Sequence, residues 1–107
     1  MPDLPIQIQI VVSSKEEAKA IALSVITKKL AISANFFNVN SIYNWEDVVE
    51  EAEETILFLK SYSSKYEQIE KEIKKIHCYE NPEIFTYQLL DGNKDFLTMM
   101  EKIVLSE

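Results

Sequence analysis

Two hydrophobic periods alternate along this chain, and their order leaves few folds open. Ile6-Gln7-Ile8-Gln9-Ile10 repeats every second residue, as a strand with one buried face requires. Ser14 and Glu17 then stand at the spacing of a capping box, and Ala18, Ile21, Ala22, Val25 and Ile26 recur at helical period, which predicts a first helix to about Leu30. Period two returns from Phe37 to Trp45, with Phe37, Val39, Ser41, Tyr43 and Trp45 on one face and Asn38, Asn40, Ile42 and Asn44 on the other. A strand of that length reaches beyond the core of its own domain.

The acidic stretch from Glu46 to Glu54 reads as a hairpin, and Thr55 to Leu59 as a third strand, apolar on both sides. Ser64 and Glu67 repeat the capping-box spacing. Tyr66, Ile69, Ile73 and Ile76 make the stripe of a second helix that runs into His77. After a turn at Asn81-Pro82, Ile84 to Leu90 reads as a fourth strand; Asp91-Gly92-Asn93 breaks it, and Phe96, Met100, Ile103 and Val104 predict a closing helix. The order βαββαβα is that of an α+β protein, the ferredoxin-like split βαβ sandwich, in which both crossover helices cover one sheet face. The other face would be bare, and a third strand apolar on both sides implies that it meets a second copy of the chain, so a homo-oligomer is expected.

The 107 residues suit a single domain over 1–107, able to bury about two thirds of its unfolded surface. One cysteine cannot make an intrachain disulfide, and the N-terminus lacks the pattern of a secretory signal, so the expected location is cytoplasmic. The longest apolar runs fall far short of the roughly 20 residues that span a bilayer, so no membrane partner is expected. The net charge is −7, and every basic residue is a lysine. Nucleic-acid binders neutralise phosphates with lysine and arginine, so nucleic acid is not an expected partner either. An acidic field instead concentrates cations.

The chain's one histidine and one cysteine are adjacent, in His77-Cys78-Tyr79-Glu80-Asn81-Pro82-Glu83. An imidazole, a thiolate and carboxylates are donors for borderline metals such as copper or zinc. The bland readings are a helix-terminating histidine that meets the last carbonyls and a cysteine buried as a small hydrophobe. Side chains of neighbouring residues tend to diverge, which argues against a nucleophile and base pair here, and no serine lies in a nucleophile elbow; no enzymatic activity is expected. The six carboxylates between Glu46 and Glu54 surround no glycine, so they make no calcium loop. Tyr43, Trp45 and Tyr79 read first as core or interface packing.

Ser41-Ile42-Tyr43-Asn44-Trp45, then Glu50, Glu54 and Lys60, then the run from His77 to Glu83, resemble the motifs of the CutA divalent-cation-tolerance family. Lys29-Leu30-Ala31, Asn35, Gly92 and Phe96-Leu97 extend the resemblance over nearly the whole chain. The resemblance implies a homotrimer whose long second and third strands pair across subunits, with sites in the clefts between them. It implies His77 and Glu83 as metal donors, with Cys78 a further candidate, and Tyr43, Trp45, Lys60 and Tyr79 as cleft-lining residues. The family's strand-one cysteine falls at Val11, whose side chain cannot bind metal, and Cys78 stands where a proline is usual; Asp47 and Met99 replace a glycine and a tryptophan.

The expected function is therefore a non-enzymatic trimer of divalent-cation tolerance, with no obligatory cofactor and a copper or zinc ion, or a small anionic ligand, in its cleft. Two other readings remain open at this point: a PII-like signalling trimer, for which one glycine and scattered lysines make a poor phosphate cradle, and a purely structural scaffold.

Overall fold

The computed structural model describes residues 3–106, and among these the elements run β1 (Pro5–Val12), α1 (Lys15–Thr27), β2 (Ser33–Trp45), β3 (Val48–Tyr62), α2 (Tyr66–Ile76), β4 (Glu83–Gln88) and α3 (Lys94–Val104), with a 3-10 turn at Ser63–Lys65 before α2. The sheet is antiparallel in the order β2-β3-β1-β4. This is the split βαβ arrangement expected from the alternation of periods.

Strand register sorts the side chains onto two faces. Ile8 pairs with Leu59 and Thr86, and Ile10 with Leu57 and Ile84, so these residues share a face. On it Ile6, Ile8, Ile10, Val12, Leu57 and Leu59 pack against Ala18, Ile21, Ala22 and Val25 of α1 and Ile69 and Ile73 of α2. Gln9, Phe58 and Phe85 align on the opposite face, next to Val11, Ile56, Phe37 and Tyr87. Phe37, Phe85 and Tyr87 are 45%, 59% and 49% exposed there, although Phe37 stacks on Phe58 with ring centroids 5.8 Å apart. α3 covers one end of that second face, where Tyr62 lies buried with Met100 and Val104.

β1 ends with Val12 opposite Thr55, whereas β2 and β3 stay paired out to Trp45 and Val48. Beyond Glu54 toward the turn they form a two-stranded arm, which gives the chain its 45 Å long axis. Glu46 and Asp47 make the turn with φ of 50° and 66°, the left-handed pair that a two-residue hairpin needs, and the Asp47 amide donates to Asn44 Oδ1 at 3.0 Å. The acidic stretch is thus the tip of the hairpin plus the outer half of one continuous third strand.

Several local expectations need correction. α1 stops at Thr27, with Lys29 at φ 60° and the Lys29 and Leu30 amides donating to Ile26 and Val25; this left-handed cap ends the helix before Leu30. The Ser14 cap forms, since its hydroxyl accepts from the Glu17 amide at 3.1 Å. The Ser64–Glu67 box does not. Lys65 precedes α2 without a side-chain cap, and the Asp3 carboxylate caps the 3-10 turn instead, accepting from the Ser64 amide and the Ser63 and Ser64 hydroxyls. Those bonds outweigh the effect of burial and hold Asp3 below the usual carboxylate range. Along α3 the buried positions are Met100 and Val104 with Leu97 packed beside them, while Phe96 and Ile103 are each 37% exposed.

Candidate functional site

The loop after α2 lies against the end of β1 and the start of α1, and His77 is its anchor. As the C-cap of α2, His77 has φ −63° and ψ 132°, so the chain leaves the helix extended and the ring turns inward, 9% exposed. Its Nε2 is 2.7 Å from the carbonyl oxygen of Val11, and its Nδ1 is 3.1 Å from the Tyr79 amide nitrogen. A carbonyl must accept and an amide must donate, so Nε2 carries the proton and Nδ1 holds the lone pair. The imidazole therefore meets a strand carbonyl across the fold, while only the His77 backbone amide donates to its own helix, at Ile73.

Cys78 is exposed, not buried as a small hydrophobe, and its thiol is free. Its amide donates to Glu17 Oε2 at 2.7 Å, and its sulfur lies 3.4 Å from the Ser13 hydroxyl. The other Glu17 oxygen accepts from the Ser13 amide at 2.8 Å and from its hydroxyl at 3.1 Å. Burial pushes the Glu17 carboxyl up, but the hydrogen bonds from Ser13 and Cys78 outweigh it and hold the group below the usual carboxylate range. Donor atoms of Glu17, His77 and Cys78 all lie within 4.8 Å of one another. The adjacent side chains of His77 and Cys78 thus converge, contrary to expectation, with Glu17 of the first turn of α1 as their common neighbour.

Glu17 is the residue that sequence reasoning missed as a donor. Its signal was present but absorbed by another role: at the third position of α1 it was read as half of a capping box, and its carboxylate does reach back to the Ser13 amide while also accepting from Cys78. Glu83 opens β4 opposite Val11, so it lies on the open sheet face. It is exposed and stands outside the three-residue group.

Of the expected cleft residues, Tyr79 is closest to the loop's anchor. Its ring lies 4.9 Å from that of His77, and its hydroxyl donates to Glu54 Oε2 at 2.8 Å, at the root of the arm. Burial, then the bond to Glu54, push the Tyr79 hydroxyl's pKa far upward, so it stays protonated as a donor. Tyr43 is four residues along β2 from Val39, the partner of Glu54, and Trp45 is six, which places them about 13 and 20 Å out along the arm. Lys60 sits at the other end of β3, opposite Gln7. The single chain does not bring Tyr43, Trp45 and Lys60 to His77.

The donor chemistry fits a borderline divalent ion. An imidazole whose Nε2–H is tied to a carbonyl presents Nδ1 as the ligand atom, the usual outer arrangement around a metal-bound histidine, and a thiol and carboxylates stand beside it. Coordination at Nδ1 would replace the Tyr79 amide bond.

A helix-covered antiparallel sheet of ferredoxin-like order, with a long hairpin arm and with Glu17, His77 and Cys78 gathered near its root, defines an α+β sandwich protein. A family model described as CutA1 divalent ion tolerance protein matches residues 6–102, and the chain belongs to that family. It is 35% identical over 97 residues to the divalent-cation tolerance protein CutA of Archaeoglobus fulgidus, covering 91% of this chain and 95% of that relative. The solved structure of the periplasmic divalent cation tolerance protein CutA from the same organism superposes with a TM-score of 0.92 at 34% identity, over 94% of this chain and 99% of that one. CutA1 from Oryza sativa superposes with a TM-score of 0.92 at 28% identity, over 97% and 96%.

Proposed function

We propose that this chain, read as one CutA-like domain over residues 1–107, serves divalent-cation tolerance as a non-enzymatic homotrimer that binds a metal ion at the root of its arm. The observation that carries the metal role is the anchoring of His77: Val11 fixes the ring and its tautomer, which leaves Nδ1 as a defined ligand atom beside other donors. Glu83, opposite Val11 in the sheet, is the partner donor that the family resemblance implies. Copper and zinc are the ions that suit an imidazole with a carboxylate and a nearby thiol.

The trimer reading rests on the second face of the sheet. Phe37, Ile56, Phe58, Phe85 and Tyr87 form an apolar surface that α1 and α2 do not cover, and it continues along the arm through Val39, Tyr43 and Trp45. Packing three such faces together would bury it and carry Tyr43, Trp45 and Lys60 of neighbouring copies toward the His77 loops. Among the described residues no helix is long and apolar enough to cross a membrane. The free exposed thiol of Cys78 suits a reducing compartment, which favours the cytoplasm.

Copper and zinc titrations of the wild type and His77→Ala, followed by calorimetry, test the metal role. Binding by the wild type that weakens at least tenfold in the variant is expected. Equal binding by both, or none at micromolar metal, would refute it. Light scattering tests assembly, and a stable monomer at micromolar concentration would rule out the trimer.

A further inference from the structure

We infer that Glu17, His77 and Cys78 of a single subunit form a binding site for a thiophilic borderline ion, zinc or copper. The inference rests on the metal role proposed above and specifies further donors beside His77, namely Glu17 and Cys78. Three observations carry it. The donor atoms of the three side chains lie within 4.8 Å of one another, and tetrahedral sites with bonds of about 2.0–2.3 Å need ligand separations of roughly 3.5 Å, so closure by about 1 Å completes the set. Each donor is already positioned: Glu17 by the Ser13 amide and hydroxyl and by the Cys78 amide, and His77 by the Val11 carbonyl. The Cys78 sulfur points at Ser13, which itself bonds to Glu17, so the thiol faces the same spot as the carboxylate.

The types of donor select the ion. A thiolate and an imidazole disfavour magnesium and calcium, which take hard oxygen ligands, whereas one sulfur, one nitrogen and one oxygen suit zinc or copper with a fourth position left to water. Cys78 is exposed, so the ion reaches it from solvent without passing through the core. Binding releases the thiol proton to solvent and displaces the Tyr79 amide from Nδ1. All three donors come from one chain, so the site needs no neighbouring subunit.

The test is a titration of the full chain and of Cys78→Ser, Glu17→Gln and Glu83→Gln with zinc and with cobalt(II), under reducing conditions, with thermal melts to show that each variant is folded. The wild type is expected to bind one ion per subunit, independently of protein concentration, and its cobalt form to show a thiolate-to-cobalt charge-transfer band in the near ultraviolet. Cys78→Ser should abolish the band and, like Glu17→Gln, weaken zinc at least tenfold. Wild-type binding with no charge-transfer band, or binding weakened by Glu83→Gln but not by Cys78→Ser or Glu17→Gln, would overturn this donor set and leave the His77–Glu83 reading standing. No binding by the wild type would overturn both.

Discussion

From Thr55 to Tyr62, β3 runs between β2 and β1 with Leu57 and Leu59 fully buried beneath the helices, whereas from Val48 to Glu53 it pairs with β2 alone among the described residues and is exposed at nearly every position. The two halves share one backbone conformation and one unbroken register. Their difference shows that pairing extends a strand but does not bury it; burial comes from what packs on the faces. A two-stranded hairpin is at best marginal in water, so the arm, with Tyr43, Trp45, Val48 and Val49 exposed, is the half with little of its own packing to hold it.

The sharpest way to break this comparison is to truncate one anchor in each half. Trp45→Ala is expected to weaken subunit assembly by roughly 3–5 kcal/mol if the indole is enclosed between copies, while leaving the monomer's own fold intact. Sedimentation at graded concentrations reads this, and unchanged assembly would place Trp45 outside the interface. Leu57→Ala should behave in the opposite way. It removes a fully buried side chain from the helix-covered core and should lower stability by about 2–5 kcal/mol in a denaturant melt, whatever the state of assembly.

Tyr79→Phe probes the junction between the halves. It deletes the hydroxyl that donates to the buried Glu54, and a loss of about 1–3 kcal/mol is expected, read as a lower melting temperature. A smaller effect is expected at the tip, where Asp47→Gly relieves a left-handed residue and should stabilise the arm by about 1 kcal/mol. Slower amide exchange along Val48–Glu53 would register it.

Acid should loosen the helix-covered half in particular. Hydrogen bonds from Lys28, Lys75 and Ser24 lower the Glu72 carboxyl from 4.5 to about 2, and Glu17 and Asp3 are also held low. A depressed folded pKa contributes stability that is present above the ordinary value and lost as pH falls through the folded one. Stability should therefore decline between about pH 4.5 and 2, and Glu72→Gln should flatten that decline. A melting temperature that falls equally in both proteins across this window would contradict the assignment.

Much of this architecture is legible in the chain itself. Ile6, Ile8 and Ile10 sit at period two and are buried, and Ile69 and Ile73 sit at helical period and are buried too, because the repeat of a strand or helix dictates which side chains share a face. The order of those repeats names the split βαβ arrangement, and the motif from Ser41 to Glu83 points to the family. The candidate site was less legible. His77 and Cys78 could be singled out because they are chemically rare here, but Glu17 lies sixty residues away and looked like an ordinary helix cap.

What the sequence determined alone was local: the periods, the Ser14 cap, the acidic tip and the absence of arginine. The tertiary structure decided everything that depends on long-range contact. It brought the Val11 carbonyl to His77, so a position whose side chain cannot bind metal still orients the imidazole, and it turned Glu17 from a cap into a neighbour of Cys78. It also put Asp3, rather than Glu67, at the turn before α2. Periodicity encodes the direction of a side chain relative to its own element, while the partner it meets depends on how the elements pack, and one chain's pattern does not carry that distance.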